Sequence, residues 1–287
     1  MSTQITTAFV QQYASTVAML VQQKGSRLRD AVRVESANGE FEYFDQVGAG
    51  AAVKRISRHA DTPFTETPHA RRQVALEDYE YNDFIDRQDR VRTLIDPTSP
   101  YAQAAAFAMG RVMDDVIIAA TNGTSKTGKT GATPVVLPAG QKVAVAASGL
   151  TLAKLLSAKE ILDGVENDPD EERYIGLAAK DVTSLLNTTE IKSADYNTVK
   201  ALVAGQIDTF LGFKFIRSQR LGTVVGGSDR AVLAWRKTGL LLAVGQEPQA
   251  RISERPDKGY TTQVYYSMSI GATRMEEEAV VEIAVTP

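Results

Sequence analysis

The chain of 287 residues contains no cysteine, only two histidines and no hydrophobic run long enough to cross a membrane. The absence of cysteine excludes disulfides, thiolate zinc sites and cysteine nucleophiles, and it is typical of proteins from a reducing compartment. A membrane-spanning helix needs about 20 consecutive apolar residues, and the apolar runs here are far shorter. The sequence therefore predicts a cytosolic chain with no targeting segment and no membrane contact.

The chain also lacks a large excess of positive or negative charge. The 32 lysines and arginines are nearly balanced by 35 aspartates and glutamates, which leaves a formal net charge of -3. A protein that grips nucleic acid through phosphates usually has a basic excess or a dense basic stripe. Any contact with nucleic acid is therefore expected to be weak and non-specific. The ordinary hydrophobic fraction predicts a folded chain with a substantial core, in one large domain or two medium ones.

The most regular pattern lies between residues 99 and 123 and predicts one long helix. Ser99 is placed to cap the first turn, Pro100 suits the first helical position, and Asn122-Gly123 is expected to end the helix. At about 1.5 Å per residue, residues 100–121 would reach roughly 33 Å. The apolar positions at helical spacing are Ala104, Ala105, Phe107, Ala108, Val112, Val116 and Ile117. The charged residues expected on the solvent side are Arg111, Asp114 and Asp115.

An amphipathic helix is predicted at residues 7–24, followed by Gly25 as a terminator. Its apolar stripe includes Phe9, Tyr13 and Val17 and needs a partner. That partner is either the same domain or a neighbouring copy of the chain.

From residue 31 to residue 44 the apolar residues alternate with mainly polar ones on both sides of Asn38-Gly39. This pattern is typical of a β-hairpin with a tight turn. The alternating apolar residues are Val32, Val34, Phe41 and Tyr43.

Two oppositely charged segments follow. The first, which we call the basic strip, contains Lys54, Arg55, Arg58, Arg71 and Arg72. The second, the acidic strip, contains Glu77, Asp78, Glu80, Asp83, Asp86 and Asp89, interleaved with aromatic residues. The strips are either two solvated faces with local pairing, or the basic strip of one copy lies on the acidic strip of the next.

The rest of the chain predicts an α+β layer. An exposed loop is expected over residues 122–142, with a short strand near Val143. Helices are predicted at 151–166, 181–186 and 198–204. Strands are predicted at 174–178, from Phe213 after Gly212, and at 231–235, 240–244, 261–270 and 280–285, with a charged turn at 275–279.

One segment matches the phosphate-binding pattern G-x-x-x-x-G-K-[ST] from Gly123 to Thr130. In a nucleotide site that loop leaves a buried strand and opens a helix whose N-terminus faces the phosphates. Here a predicted helix precedes the loop, and Pro134 and Pro138 disfavour a helix after it. A solvent-exposed loop is the favoured interpretation, with a nucleotide-binding enzyme as the alternative.

No other group of residues in the sequence has the spacing of a catalytic, nucleotide-binding or metal site. Gly48-Ala-Gly50 begins like a dinucleotide fingerprint but lacks the final glycine. Neither His59 nor His69 has the spacing of a metal ligand, and both are expected at the surface or in an interface. Asp114 and Asp115 are adjacent and point about 100° apart on a helix, so they form no catalytic pair. The sequence predicts no enzyme activity, cofactor or metal, and this favours a structural protein.

The order of elements resembles that of tailed-bacteriophage major capsid proteins with the Hong Kong 97 fold. The resemblance runs from a helical arm through an extended hairpin loop and a long spine helix to α/β layers and closing strands. The segment from Gly205 to Ser218, in which a short helix and a glycine lead into a strand, also resembles a run common in that family. A long N-terminal scaffold segment, present in some members, is not evident. No partner asparagine and activating acid match Lys54, so inter-subunit cross-linking is not carried over.

The resemblance implies an α+β fold with an N-terminal arm, an extended β-hairpin loop, a spine helix, and peripheral and axial domains. The corresponding ranges are 1–30 for the arm, 31–90 for the loop region, 91–169 for the peripheral domain, 170–244 for the axial domain and 245–287 for the return strands. It also implies an icosahedral shell of pentamers and hexamers around double-stranded DNA, built in the host cytoplasm and found in the virion. Portal, scaffolding and decoration proteins are the expected partners.

The residues expected between subunits come from the arm and from the two strips. They are Phe9, Tyr13, Val17, Lys54, Arg55, Arg58, Arg71, Arg72, Glu77, Asp78, Glu80 and Asp83. The alternative within the same fold is an encapsulin-like compartment shell that encloses a cargo enzyme.

Overall fold

The computed structural model describes residues 22–58, 61–62, 64–85, 98–165, 168, 170–187 and 209–286. The chain divides into a smaller unit (Met1–Ser26, Asp78–Met113, Gln246–Ile270) and a larger unit (Arg27–Glu77, Asp114–Gly245, Gly271–Pro287). The helix predicted at 198–204 lies outside the described residues. So does the helix predicted at 7–24, apart from residues 22–24, which are not helical.

The elements mix helices and strands, as the α+β prediction requires. The helices are α1 (Thr98–Asn122), α2 (Leu152–Asp163) and α3 (Ala179–Leu186). The first strands are β1 (Arg33–Ser36), β2 (Phe41–Val47), β3 (His69–Ala75), β4 (Glu77–Ile85), β5 (Ser125–Thr127), β6 (Thr133–Val135) and β7 (Lys142–Val143). The later strands are β8 (Arg173–Leu177), β9 (Thr209–Phe210), β10 (Phe213–Arg217), β11 (Arg230–Arg236), β12 (Leu240–Arg255), β13 (Thr261–Arg274) and β14 (Val280–Val285).

The predicted long helix is confirmed as α1, a single helix of 25 residues. It begins one residue before Ser99, so Ser99 lies in its first turn and not at a cap outside it. The buried positions recur every four residues along the helix. One buried row contains Ala105, Met109, Met113, Ile117 and Thr121, and a second contains Gly110, Asp114 and Ile118. Of the apolar residues predicted to face the core, only Ala105 and Ile117 are fully buried. The buried face of the helix is rotated from the predicted one toward Met109 and Met113.

The prediction that Asp114 lies on the wet side of α1 is wrong. The residue is fully buried, and its carboxylate accepts hydrogen bonds from the backbone N–H groups of Arg27 at 3.0 Å and Leu28 at 3.1 Å. These N–H groups open a short 3-10 turn at Arg29–Ala31 and need an acceptor. The hydrogen bonds offset the cost of burying the carboxylate. Asp115, by contrast, is partly exposed and forms an ion pair with Arg220.

A six-stranded sheet with the order β7-β14-β11-β8-β10-β9 forms the main core of the larger unit. Helices α2 and α3 supply apolar side chains to the same core, among them Leu155, Leu162 and Leu185. The predicted helices at 151–166 and 181–186 are thus confirmed, as are the strands at 174–178, 231–235 and 280–285 and the strand entered through Gly212, whose φ is 85°. Leu156 of α2, although apolar, is 47% exposed.

The prediction of a tight hairpin at residues 31–44 is wrong in its pairing. β1 pairs in parallel with the first residues of β12, with Arg33 opposite Leu241. β2 pairs with β3 in antiparallel register, from Phe41 opposite Ala75 to Val47 opposite His69. Alternation correctly located both strands, but it carries no information on which strand pairs with which.

The predicted loop at 122–142 is also more ordered than expected. β5 pairs with both β3 and β6, so that β2-β3-β5-β6 form a four-stranded sheet in the larger unit. The smaller unit contains parts of β12, β13 and β4, in which β13 lies between the other two strands. β12 begins as predicted at Leu240 but continues to Arg255.

Two buried arginines share one carboxylate beneath the β2–β3 hairpin. Arg72 donates from Nε to the carbonyl of Met275 at 2.9 Å and from Nη2 to both carboxylate oxygens of Glu277 at 2.6 and 2.7 Å. Arg274 is fully buried and donates to the carbonyls of Thr121 and Gly123, at the C-terminal end of α1. A positive charge at a helix C-terminus is favourable, and the guanidinium satisfies carbonyls that lack helical partners.

This cluster corrects two predictions. Arg72, only 7% exposed, does not belong to an exposed basic strip. Glu277 is not simply part of a solvated turn, because it pairs with Arg72.

Lys154 on α2 fills a second buried polar site. Its ammonium donates to four backbone carbonyls, those of Val145 at 2.7 Å, Ser148 at 2.8 Å, Gly149 at 3.1 Å and Ala284 at 3.0 Å. Burial lowers the pKa of Lys154 from its ordinary value. The loop that it holds contains Ala146 and Ala147 at positive φ, a conformation that costs free energy in an L-residue. Lys154 therefore stabilises a strained loop by satisfying its carbonyls.

The neighbouring residues Arg71 and Arg72 provide a matched test of the buried cluster. We expect Arg72→Met to lower the free energy of unfolding by about 3 kcal/mol, because Glu277 and the carbonyl of Met275 lose a buried charged donor. Arg71→Met should change it little, because the ion pair of Arg71 with Asp45 is solvent-exposed. Urea denaturation of unassembled subunits measures both variants. Equal effects of the two substitutions would contradict the conclusion that the buried contacts of Arg72 stabilise the fold.

Lys154→Met should lower the free energy of unfolding by about 2 kcal/mol or more, since four buried carbonyls lose a charged donor. Lys159→Met, on the same helix, is the control and should have little effect. The measurement is the urea midpoint of each variant. A midpoint for Lys154→Met that equals that of the control would show that the carbonyls find other partners.

Candidate subunit-contact surfaces

The connection between β2 and β3 spans residues 48–68 and exposes large apolar side chains. Ile56 is 94% exposed, Phe64 is 90% exposed and Val53 is 58% exposed. Burying such a side chain stabilises a protein by about 1.5–3 kcal/mol. Three such side chains in one connection are typical of a surface that a partner covers.

The base of this connection is held within the chain. Arg71 on β3 donates from Nε to Asp45 on β2 at 2.5 Å, and its guanidinium lies over the ring of Tyr43 at 5.6 Å. The hydrogen bond from Arg71 lowers the pKa of the Asp45 carboxyl from its usual value. Gln46 donates to the carbonyl of Met275 at 2.8 Å, the same carbonyl that Arg72 contacts. The base of the connection is therefore held by contacts within the chain.

The structure separates the predicted basic strip into two parts. Lys54, Arg55 and Arg58 lie in the exposed part of the connection. Arg71 and Arg72 make the contacts within the chain that are described above. We therefore call residues 50–58 the basic tip. It contains three basic residues and no acidic one.

The described part of the acidic strip forms strand β4. Asp78, Glu80 and Phe84 lie on its exposed face, whereas Tyr79, Tyr81 and Asp83 on the opposite face are half-buried. Glu80 accepts a hydrogen bond from the hydroxyl of Tyr265 on β13 at 2.8 Å, and this raises the pKa of Tyr265. Burial and the nearby Asp83 raise the pKa of Tyr81. Strand β4 carries four carboxylates and no basic residue. Asp86 and Asp89 lie outside the described residues.

The geometry of residues 123–130 does not fit a nucleotide site. Helix α1 ends at Asn122, and the segment then forms β5 and the turn before β6. A phosphate loop needs a strand before it and a helix N-terminus after it, and this segment has the reverse order with no helix after it. The nucleotide-binding alternative therefore loses its structural basis.

The two histidines do not form part of a metal site among the described residues. His69 is exposed at the start of β3, and His59 lies outside the described residues. Across the described ranges, no group of three or more histidine, aspartate or glutamate side chains is arranged to hold a metal ion. None of the helices in those ranges has the length and apolar character needed to span a bilayer. The arm residues Phe9, Tyr13 and Val17 also lie outside the described part.

Sequence reasoning missed the residues that fix these surfaces. Arg72, Glu277 and Gln46 hold the base of the β2–β3 connection, and Lys154 holds the loop at 145–149. Burial of a lysine or arginine is not evident from the sequence, because it depends on the fold: Lys154 binds carbonyls of a nearby loop and of Ala284, and Arg72 binds Glu277 and the carbonyl of Met275. The one available signal was Thr151, which caps α2 and so places Lys154 in the first turn.

Comparison with known proteins shows a family and a fold. The model of the phage capsid protein family matches residues 5–286. A search of curated proteins finds no match.

Among solved structures, the capsid of cyanophage P-SCSP1u matches with a TM-score of 0.74 and 18% identity, covering 100% of this chain and 95% of that chain. A structure from Mycobacterium phage Che8 matches with a TM-score of 0.69 and 16% identity, covering 95% and 96%. The capsid of a native GTA (gene transfer agent) particle matches with a TM-score of 0.72 and 13% identity, covering 96% and 95%.

These matches confirm the resemblance inferred from the sequence. The structural matches establish the fold across nearly the whole length of both chains, and the family model establishes the relationship. The chain is a major capsid protein that forms a phage shell, and it belongs to the phage capsid protein family.

Proposed function

We propose that this capsid protein self-assembles, through pentamers and hexamers, into the icosahedral shell that encloses the double-stranded DNA genome of a tailed phage. The observation that carries the proposal is the family match over residues 5–286. The exposed side chains of Val53, Ile56 and Phe64, together with the exposed charges of the basic tip, support it, because such a surface is explained by burial against another copy.

In the assembled shell, the basic tip of one copy is proposed to lie against the acidic strip of another. Opposite charges steer the copies together and fix their register, although each contact contributes little free energy. Weak contacts let wrongly placed copies dissociate, and a closed symmetric shell multiplies the correct contacts. Arg71 and Arg72 are no longer part of this proposed interface, since both make contacts within the chain.

The domain assignment is proposed on the same basis. Residues 1–30 form the arm, 31–90 the extended loop region, 91–169 the peripheral domain with α1 as its spine, 170–244 the axial domain and 245–287 the return strands. Phe9, Tyr13 and Val17 of the arm would then contact a neighbouring copy.

Further partners follow from the proposed shell. A portal protein, a scaffolding protein and decoration proteins would contact it, and assembly would take place in the host cytoplasm. The enclosed DNA is proposed to touch the shell weakly and without sequence preference, in keeping with a net charge of -3. Weak contact leaves DNA free to be packaged and released.

Electron microscopy of the protein, expressed alone and with its neighbouring genes, tests the assignment. We expect closed shells tens of nanometres across, or free pentamers and hexamers, and nuclease-protected DNA in particles that form with the phage genes. A homogeneous monomer or dimer under both conditions would contradict the proposal. Shells that contain a packaged enzyme instead of DNA would support the encapsulin-like compartment.

A charge reversal of the basic tip tests the proposed contact. The variant Lys54→Glu, Arg55→Glu, Arg58→Glu should fold normally but fail to form shells, because the tip would then repel the acidic strip. Sedimentation velocity separates shells from subunits. The control is Lys126→Glu, Lys129→Glu, which reverses two exposed lysines of the β5–β6 hairpin. It should still assemble, and normal shells from the tip variant would rule out the contact.

A further inference from the structure

A glycine in the interior of α1 lies against the segment that joins the arm to the rest of the chain. We propose that Gly110 is a positioning residue for shell assembly, because it lets residues 22–26 lie directly on the helix and so sets the point from which residues 1–21 begin. We call residues 22–26 the arm root. The inference rests on the proposed shell function and deepens it, since it names the residue that places the arm.

The first observation is the glycine itself. Gly110 is the one glycine of α1, an alanine-rich helix, and it is buried near the middle of that helix. Glycine in a helix interior is less favourable than alanine, because it loses more conformational freedom on folding. The helical backbone at this position is one that alanine adopts at lower cost. The glycine is therefore explained by what lies against it.

The second observation is a close approach of two backbones. A Cβ atom placed on Gly110 would lie 2.4 Å from the carbonyl carbon of Gly25 and 2.5 Å from the backbone nitrogen of Ser26. Carbon atoms that are not bonded prefer separations of about 3.5–4.0 Å, so any side chain at position 110 has to displace this backbone. Gly25 has a φ of 75°, which glycine adopts without strain. The arm root therefore fits the helix only because position 110 has no side chain.

The third observation is a set of hydrogen bonds beside this approach. Arg111 donates from Nη1 to the side-chain oxygen of Gln22 at 2.8 Å and to the carbonyl of Gln23 at 3.4 Å. The side-chain amide of Gln23 donates to the carbonyl of Gly25 at 2.9 Å. All of these residues belong to the smaller unit. The hydrogen bonds fix the direction of the root along the helix as well as its distance from it.

The chain directly after the root is held by contacts within the larger unit. Asp114 accepts hydrogen bonds from the next two backbone N–H groups, as described above. The indole N–H of Trp235 donates to the carbonyl of Ala31 at 2.9 Å. A displaced root therefore moves the residues that precede it, because those that follow it are anchored separately.

This arrangement makes the root a determinant of assembly. In the proposed shell each arm contacts a neighbouring copy, so every arm has to begin from the same place on its own subunit. A closed shell repeats any displacement in every copy, and the weak contacts are effective only when all of them form together. Alanine at position 110 is expected to leave the subunit folded and to disturb assembly.

Two measurements on the same variants test this role. Trypsin digestion of unassembled subunits, followed by mass spectrometry, reports on the root, because Lys24 and Arg27 are exposed cleavage sites in it and directly after it. Sedimentation velocity reports on assembly. Gly110→Ala forces the root away from the helix, and Arg111→Met removes hydrogen bonds without adding a clash. The matched control is Arg111→Lys, which keeps a charged donor at the same position.

We expect Gly110→Ala to keep its helical circular dichroism, to be cut at the root about tenfold faster than the unmodified protein, and to form few shells. Arg111→Met should change cleavage and assembly in the same direction, and Arg111→Lys should restore both. Unchanged cleavage, or faster cleavage with normal shells, would overturn the inference. If Gly110→Ala does not fold, the two Arg111 variants decide the question. Failure of the unmodified protein to assemble would instead contradict the proposed function.

Discussion

The buried contact between Arg72 and the turn at residues 275–278 is the interaction on which the exposed surfaces depend. Arg72 pairs with Glu277 and shares the carbonyl of Met275 with Gln46, so both strands of the β2–β3 hairpin are tied to one point. A guanidinium suits this position because its planar donors contact a carboxylate and a carbonyl at once. With its base held in this way, the hairpin leaves Val53, Ile56 and Phe64 exposed in the connection.

Adjacent arginines illustrate how the chain divides its charges between folding and assembly. Arg72 is buried and stabilises the fold, Arg71 pairs with Asp45 at the surface, and Lys54, Arg55 and Arg58 remain exposed. The carboxylates of β4 have no basic residue on their own strand. Under the proposed assembly, the buried charges stabilise the subunit and the exposed charges of both signs contact other copies. For a shell protein this separation has a clear use, because a stable subunit and weak, reversible contacts are both needed.

The sequence predicted the positions of helices and strands better than it predicted which strands pair and which side chains are in contact. Helix α1 was evident because its spacing persists over many turns, and β8, β11 and β14 were evident because short apolar runs mark buried strands. The pairing of β2 with β3 was missed, since alternation at Phe41 and Tyr43 locates a strand without naming its neighbour. The burial of Asp114 and Arg72 was missed because their partners, Arg27 and Glu277, are distant in sequence. For the contact surfaces, the charges of both strips were visible, whereas the edge position of β4 depends on the order of strands in the sheet.

The most direct test of complementary contact between copies is a charge exchange within one chain. Arg55→Glu with Arg58→Glu, and Asp78→Lys with Glu80→Lys, each place like charges in the proposed contact. A chain that carries all four substitutions restores opposite charges there while reversing both surfaces. We predict that sedimentation velocity will find shells from the fourfold variant and mainly free subunits from each double variant. A fourfold variant that assembles no better than the double variants would contradict the account.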